Sequence, residues 1–171
     1  MIPYSRQLID RSDISSIVSV LKKDLVTTGP KIPEFENKIT KFLGAKYGVA
    51  VNSATSALHI SCIALDLKKE DWLWTSPISF VASANCGLYC GAKIDFIDID
   101  IKTYNISITK LRKKLILAKA KKRLPKIIVI VSFAGQPCDL KEIKELSKIY
   151  KFKILEDSSH ALGAKYEHEK V

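Results

Sequence analysis

A carboxylate and an imidazole follow the last strand-like run of the chain. The apolar run 152–155 leads directly into Glu156-Asp157-Ser158-Ser159-His160. In open α/β sheets, ligands bind beyond the carboxyl ends of the strands, so Asp157 and His160 are placed to face a ligand rather than the core. A carboxylate at such a place can hold the protonated nitrogen of a heteroaromatic ring. We therefore take Asp157 and His160 as candidate catalytic residues.

A second candidate lies at an earlier strand-to-helix turn, Asn52-Ser53-Ala54-Thr55-Ser56. Small hydroxyl residues at such a turn leave backbone N–H groups open, and the helix dipole favours an anion, so a phosphate could bind at Thr55 and Ser56. Ordinary helix capping is the alternative, because Ser and Thr are among the commonest caps. The turn lacks the glycines of a dinucleotide fold and the lysine of a P-loop, which disfavours NAD and ATP.

The third candidate is Phe80, which follows Thr75-Ser76-Pro77-Ile78-Ser79. An aromatic ring at the start of a helix can lie flat on a planar cofactor, although core packing is the commoner role of a Phe. Each of the three turns therefore has a structural explanation when it is taken singly. Together they offer a phosphate anchor, a flat ring and a carboxylate, the three fixed points that pyridoxal 5'-phosphate needs.

These candidates need a sheet to align them, and the hydrophobic periodicity predicts one. Helix patterns alternate with strand patterns along the chain, which predicts an α/β fold with a mostly parallel sheet and helices on both faces. Ser12 is the expected cap of the first helix, Gly44 the expected end of the second, and Phe35 and Phe42 are expected to point inward. The predicted helices cover about 12–21, 30–44, 54–65, 79–89, 110–123 and 140–150, and the predicted strands cover 47–51, 72–75, 94–98, 126–131 and 152–155.

Composition limits the classes of partner. With 171 residues and 47% hydrophobic content the chain can bury a real core, as one domain or a large piece of one. A net charge of +10 raises a nucleic-acid hypothesis, but only four of the 28 basic residues are Arg, whereas phosphate and base recognition favours Arg. The densest basic segment, Lys110 to Arg123, alternates with apolar residues in the manner of an amphipathic helix with a solvated face. We therefore expect no nucleic-acid partner.

Membrane and metal partners are not expected either. No stretch approaches eighteen uninterrupted apolar residues, and residues 1–6 lack the apolar segment of a secretory signal, so we expect a cytoplasmic protein with no membrane partner. The cysteines lack the paired short spacings of a zinc site. We expect buried, reduced thiols at Cys62, Cys86, Cys90 and Cys138.

The order of the motifs resembles that of the DegT/StrS family of sugar-nucleotide aminotransferases, in its amino-terminal part. Residues 74–86 and 157–163 are most similar to the branch of that family that serves pseudaminic acid biosynthesis. The matching segments are Thr27-Thr28-Gly29-Pro30, Phe35-Glu36, Asn52-Ser53-Ala54-Thr55-Ser56-Ala57-Leu58, Ser76-Pro77-Ile78-Ser79-Phe80-Val81-Ala82, Tyr89-Cys90-Gly91-Ala92, Phe96-Ile97-Asp98-Ile99-Asp100, Gly135-Gln136-Pro137 and Glu156-Asp157-Ser158-Ser159-His160-Ala161-Leu162-Gly163.

The resemblance implies a fold type I pyridoxal-phosphate-dependent transferase that works as a homodimer. Residues 1–171 would be the amino-terminal portion of its large, cofactor-binding domain, with the remainder of that domain and the small domain absent. The implied reaction moves an amino group from L-glutamate to the C4 keto carbon of a UDP-linked 6-deoxy-4-keto-N-acetylhexosamine, in pseudaminic acid or related amino-sugar biosynthesis. Amination at C3 by another enzyme of the family stays open.

The resemblance also assigns roles to single residues. Thr55 and Ser56 would hold the cofactor phosphate, Phe80 would stack on the pyridine ring, Asp157 would pair with the ring nitrogen, and His160 would lie near the 3-hydroxyl. Substrate-binding roles would fall to Tyr4, Thr28 and Gly29, in segments that vary with the substrate.

One part of the family's pattern is missing. Its members use a Schiff-base lysine in a later Ser-Phe-His-x-x-Lys motif, which is absent from this sequence. Lys165 and Lys170 fall before that motif, so neither takes the role. We therefore expect a fragment of a longer protein that is inactive by itself. The alternative is a non-catalytic module that binds pyridoxal phosphate or a sugar nucleotide, or that acts only as an interaction module.

Overall fold

A computed structural model describes residues 6–170, whose contacts form two compact units, residues 6–50 and residues 51–170. The described part of the first unit contains two helices, α1 (Arg11–Leu21) and α2 (Lys31–Leu43). The second unit contains four α-helices, one short 3-10 helix (Phe133–Gly135) and six strands among its described residues. In chain order the α-helices and strands are α3 (Ala54–Ala64), β1 (Trp72–Thr75), α4 (Ala82–Tyr89), β2 (Lys93–Phe96), α5 (Ile108–Ala120), β3 (Ile127–Val131), α6 (Leu140–Tyr150), β4 (Lys153–Asp157), β5 (Lys165–Tyr166) and β6 (Glu169–Lys170).

In the first unit, α1 begins one residue earlier than predicted because Asp10, not Ser12, is its cap. The Asp10 carboxylate accepts hydrogen bonds from the backbone N–H groups of Ser12 at 2.7 Å and Asp13 at 3.1 Å. The Asp13 side chain accepts in return from the backbone N–H of Asp10 at 2.9 Å. This reciprocal pair is a capping box, and its two carboxylates also suit the positive end of the helix dipole.

Helix α2 ends as predicted, at Gly44 in the left-handed conformation with φ +71°. Two other expectations for this unit are wrong. Phe35 and Phe42 are exposed rather than inward, and residues 47–51 form no strand. The backbone N–H of Ala50 donates instead to the Glu36 carboxylate at 2.8 Å, so a side chain takes the place of a strand partner.

The second unit contains the predicted parallel sheet, in the order β2-β1-β3-β4. All three pairings are parallel, so the carboxyl ends of the four strands meet at one edge. Strands β3 and β4 run in register from the pair Ile127 and Lys153 to the pair Val131 and Asp157. The α/β fold with a mostly parallel sheet is confirmed, and Asp157 is the last residue of its strand.

The two faces of the sheet carry separate cores because successive strand residues alternate in direction. Trp74, Ile128 and Ile130 pack with α5 and α6 on one face. Leu73, Ile127 and Val129 pack with α3 and α4 on the other. No helix among residues 6–170 is long and apolar enough to cross a membrane.

Helix α4 approaches the sheet very closely at Gly87. A Cβ at this position would lie 2.6 Å from the Cδ1 atom of Ile94 and 3.1 Å from that of Leu73. Only a residue without a side chain allows this approach. The glycine therefore fixes the distance between α4 and β1, and with it the height of the polar residues at the start of α4.

Candidate functional site

The carboxylate of Asp157 lies at the carboxyl edge of the sheet and is 8% exposed. Its Oδ2 accepts a hydrogen bond from the Ser83 hydroxyl at 2.9 Å. Its Oδ1 accepts from the Ser159 hydroxyl at 2.6 Å and from the Ser159 backbone N–H at 3.3 Å. Two serines from different elements therefore fix the orientation of this carboxylate.

No cation accompanies this carboxylate among the residues that the structure describes. None of the ion pairs within residues 6–170 includes Asp157. A buried carboxylate is ordinarily paired or fully hydrogen-bonded, because desolvation of an unpaired charge is costly. The local electrostatics therefore favour a positively charged group beside Asp157, such as a protonated ring nitrogen.

Ser83 belongs to a short hydroxyl relay at the start of α4. Its Oγ lies 2.7 Å from the Oγ of Ser79 and donates onward to Asp157. The helix itself begins at Ala82, three residues later than predicted, so Ser79 and Phe80 precede it. The Phe80 ring is 69% exposed, and core packing is therefore not its role in the described structure.

Thr55 and Ser56 lie in the first turn of α3, as predicted. The Ser53 hydroxyl caps the helix by accepting from the Ser56 backbone N–H at 3.2 Å, and the Ser56 hydroxyl donates to Oδ1 of Asn52 at 2.7 Å. The backbone N–H groups of Ala54 and Thr55 have no hydrogen-bond partner within residues 6–170. Capping by Ser53 thus leaves two donors for an anion at the positive end of the helix dipole.

Helices α3 and α4 pack against each other, and α3 also contacts β4. The thiols of Cys62 in α3 and Cys86 in α4 are both buried at this junction. The neighbouring Cys86 thiol and burial raise the pKa of Cys62 above its ordinary range. The Cys86 Sγ also contacts the Ser83 carbonyl at 3.5 Å. The two helices that carry the candidate residues therefore pack together through buried apolar residues and thiols.

His160 lies on an exposed turn after β4, in which the Ala161 N–H donates to the Ser158 carbonyl at 2.8 Å. The loop 133–137 approaches this turn. A Cβ on Gly135, whose φ is +86°, would lie 3.0 Å from the His160 carbonyl oxygen. Ala134 beside it also has a positive φ of 51°. The backbone of this loop therefore requires the left-handed region at two successive residues.

Asn105 fixes that loop from the opposite side. Its buried amide donates to the carbonyls of Gln136 at 2.8 Å and Pro137 at 3.1 Å, and its Oδ1 accepts from the Phe133 N–H at 3.0 Å. Three hydrogen bonds from one side chain hold the segment against which the His160 turn rests. Asn105 therefore acts on His160 through the loop.

On the α3 and α4 face of the sheet, one further polar atom lacks a partner among residues 6–170. The Thr75 hydroxyl at the end of β1 is buried and makes no hydrogen bond with any other residue between 6 and 170. Thr75 is on the α3 and α4 face of the sheet, as is Asp157, because β1, β3 and β4 run in parallel register. Buried hydroxyls are normally satisfied, so this atom is available to a bound group.

Of the three residues expected to bind the substrate, the structure describes only two. Tyr4 lies outside the described residues. Thr28 and Gly29 are in the first unit, in the turn before α2, where Thr28 has a positive φ of 53° and its hydroxyl donates to the Thr27 carbonyl at 2.7 Å. Their roles stay predictions.

Several residues that build the site did not emerge from the sequence. Ser83 and Ser159 hold Asp157, Asn52 holds Ser56, and Asn105 holds the loop beside His160. Ser159 and Asn52 lie within the same motifs as Asp157 and Ser56, so their closeness in sequence could have indicated these contacts. Ser83 is 74 residues from Asp157, and no local pattern indicates that pairing.

The chain belongs to the DegT/DnrJ/EryC1/StrS aminotransferase family, whose model matches residues 7–171. This confirms the resemblance that the motifs predicted.

Individual relatives place the chain within that family. It is 42% identical over 171 residues to the UDP-4-amino-4,6-dideoxy-N-acetyl-beta-L-altrosamine transaminase of Campylobacter jejuni subsp. jejuni serotype O:2, covering 100% of this chain and 44% of that protein. Among solved structures, PseC of Helicobacter pylori, an aminotransferase of pseudoaminic acid biosynthesis, has a TM-score of 0.87 at 33% identity, covering 99% of this chain and 44% of PseC. Spr1654 of Streptococcus pneumoniae, solved in a PLP-form, has a TM-score of 0.87 at 26% identity, covering 99% of this chain and 45% of Spr1654.

The chain spans less than half the length of these relatives. The aminotransferase fold and the family's cofactor, seen in the PLP-form and the PMP-form of Spr1654, agree with the expectations from the sequence.

Proposed function

We propose that this chain is the amino-terminal portion of the pyridoxal-phosphate-binding domain of a sugar-nucleotide aminotransferase. The observation that carries the proposal is the buried carboxylate of Asp157, which two serines orient and which no described cation neutralises. Family membership supports the reaction class, and the coverage of relatives supports the position of the chain in a longer protein.

The residues present fit pyridoxal phosphate by three independent features. The start of α3 offers the open N–H groups of Ala54 and Thr55 and the Thr55 hydroxyl, with the Ser56 hydroxyl, which donates to Asn52, beside them. This arrangement suits a phosphate. Asp157 offers a buried negative charge, which suits a protonated ring nitrogen. The exposed ring of Phe80 is free of the core and available for stacking. When bound, this cofactor supplies an electron-accepting ring for amino-group transfer.

Each side chain then has a limited task. Asp157 keeps a proton on the ring nitrogen by its charge, while Ser83 and Ser159 hold the carboxylate in place. Thr55 and Ser56 anchor the phosphate, and Phe80 covers the ring. His160 is held beside the site by the loop that Asn105 supports. The lysine that this chemistry requires would come from a part of the protein that follows residue 171.

For the substrate we propose a UDP-linked 6-deoxy-4-keto-N-acetylhexosamine that accepts an amino group at C4 from L-glutamate. The similarity to the altrosamine transaminase and to PseC supports this choice. Tyr4, Thr28 and Gly29 are the proposed contacts on the sugar-nucleotide side. We propose a homodimer for the complete protein, by analogy with the family.

The test is an amination assay of the complete gene product. With L-glutamate and the 4-keto sugar nucleotide, we expect a UDP-4-amino sugar, identified by NMR and mass spectrometry. A 3-amino product from a 3-keto substrate would replace the substrate assignment and leave the reaction class intact. Binding of pyridoxal phosphate or UDP without any amino transfer would contradict the proposal in favour of a non-catalytic module.

A further inference from the structure

A pocket lies between β1 and α5, on the face of the sheet opposite to the one that carries Asp157. It has a volume of about 220 Å³ and is lined by Trp72, Trp74, Asp95, Lys114, Leu117, Ala118, Lys121 and Arg123. Trp74 packs on the α5 face, whereas Asp157 and Ser83 are on the α3 and α4 face. The pocket is therefore separate from the proposed cofactor site, and the inference below does not depend on the proposed function.

The charges that line this pocket do not cancel. Lys114 is paired with Asp95 at 2.7 Å and also donates to the Phe96 carbonyl at 2.6 Å. Lys121 and Arg123 form no ion pair with any carboxylate between residues 6 and 170. Two positive charges are therefore left uncompensated at the rim of the pocket.

A buried donor adds to these two cations. The Trp74 side chain is 2% exposed, and its indole N–H has no hydrogen-bond partner in the described part of the chain. A buried indole N–H is usually satisfied, so its lack of a protein partner is unusual. Lys121 and Arg123 have no acceptor atom, so they cannot satisfy this N–H.

The other residues that line the pocket favour a flat, apolar ligand. The indole rings of Trp72 and Trp74 and the side chains of Leu117 and Ala118 line the pocket beside the cations. Lys114 Nζ lies 5.0 Å from the centre of the Trp74 ring, and Lys93 Nζ lies 5.9 Å from that of Trp72. Lys114 is paired with Asp95 and Lys93 with Glu70, so these two ammonium groups stay in place beside the indole rings.

We propose that this pocket binds a small aromatic phosphate monoester, with its phosphate on Lys121 and Arg123 and its ring against the half-buried indole of Trp72. A phosphate monoester carries close to two negative charges at neutral pH, which matches the two uncompensated cations. Its terminal oxygens match the two available cationic donor groups, the ammonium of Lys121 and the guanidinium of Arg123. The volume of about 220 Å³ suits a single ring with a phosphate rather than a whole nucleotide.

The tryptophans make the test specific. The chain has only two, and both line this pocket, so intrinsic tryptophan emission reports on it alone. Phenyl phosphate is the probe, titrated into the chain with excitation at the red edge of indole absorption. We expect a saturable change in emission, at least about tenfold weaker affinity for inorganic phosphate, and no saturable change with phenol.

Variants distinguish binding in the pocket from nonspecific attraction to a positively charged surface. Lys121→Gln and Arg123→Gln should each weaken phenyl phosphate binding about tenfold, because each removes a charge-assisted hydrogen bond. Lys119→Gln removes an exposed cation from the same end of α5, outside the pocket, and should bind as the parent chain does.

Three results would overturn the inference. The first is the absence of saturable binding by both fluorescence and calorimetry. The second is equal affinity for inorganic phosphate and phenyl phosphate, which would remove the role of the rings. The third is equal weakening by Lys119→Gln and by Lys121→Gln or Arg123→Gln, which would reduce the effect to nonspecific electrostatics.

Discussion

The Ser83 hydroxyl donates to the Asp157 carboxylate across 2.9 Å, although 74 residues separate them in the chain. The bond joins the first turn of α4 to the last residue of β4. It orients one carboxylate oxygen, while Ser159 orients the other from the following turn. The direction of the Asp157 carboxylate is therefore a property of the packed fold rather than of the local motif.

Replacement of Ser83 should disturb Asp157 without removing it. Ser83→Ala leaves a buried carboxylate oxygen without its donor, which costs about 1–3 kcal/mol of stability. In the complete gene product we expect turnover to fall about tenfold, while cofactor affinity changes little because the phosphate is anchored on α3. Turnover, cofactor affinity and thermal unfolding should be measured together.

Ser83→Thr is the matched control, because it keeps the hydroxyl and adds only a methyl group. It should retain more turnover than Ser83→Ala. Equal losses in both variants would indicate that packing at α4, rather than the hydrogen bond to Asp157, limits the activity.

Gly135 should tolerate alanine less well than Gly163 does. Both residues have left-handed backbones, with φ +86° and +88°, so alanine is strained by about 1–2 kcal/mol at either. A Cβ on Gly135 would also press on the His160 carbonyl at 3.0 Å, whereas a Cβ on Gly163 would have no atom within 4 Å. Urea unfolding of Gly135→Ala and Gly163→Ala should show the larger loss for Gly135→Ala, and equal losses would contradict the close approach of the loop.

The buried thiol of Cys138 should make stability depend on alkaline pH. Burial raises the pKa of Cys138 to about 12, and its Sγ contacts the Val131 carbonyl at 3.2 Å. The folded pKa lies above the unfolded value of about 8.5, so the contribution of the thiol is complete below about pH 8.5 and declines as pH rises toward 12.

Cys138→Ala isolates this effect, since the other thiols are unchanged. At pH 10 the unfolding free energy of the parent chain relative to Cys138→Ala should have fallen by about 2 kcal/mol from its value at pH 7. Denaturant unfolding at the two pH values measures it. A difference that does not vary with pH would show that the thiol is not desolvated as described.

The 171-residue chain alone should form no reducible covalent link to pyridoxal phosphate. The lysines of this segment match no Ser-Phe-His-x-x-Lys motif. Borohydride treatment followed by peptide mass spectrometry should therefore find no single modified lysine, whereas the complete gene product should give one. A specific adduct on one lysine of residues 1–171 would overturn this expectation.

Much of the fold follows from local pattern, and its exceptions have physical causes. The apolar runs 72–75, 126–131 and 152–155 became parts of parallel strands because helices on both sides bury them. The segment 47–51 has the same apolar character, yet it forms no strand, because a strand also requires a partner and Glu36 takes the N–H of Ala50 instead. Periodicity describes side chains and does not report where backbone hydrogen bonds go.

The site shows the same division. Asp157, Thr55 and Ser56 were visible because they lie where strands end or helices begin. Ser83 and Asn105 were not, because each acts through a hydrogen bond to a distant segment, and a buried serine or asparagine has no distinctive spacing. Residues at element ends are predictable from sequence, whereas the residues that orient them depend on the packed structure.

The most direct test of the account is the activity of Asp157→Asn in the complete gene product, with Glu156→Gln as the control. Asparagine keeps the shape of Asp157 but removes its charge and one of its two acceptor oxygens, whereas Glu156 is the adjacent carboxylate and accepts from Ser132 at 3.1 Å. We predict that Asp157→Asn retains most cofactor binding and loses about a hundredfold or more of its glutamate-dependent amination, while Glu156→Gln stays near the parent rate. Near-normal turnover in Asp157→Asn would contradict the assignment of this carboxylate to the cofactor ring.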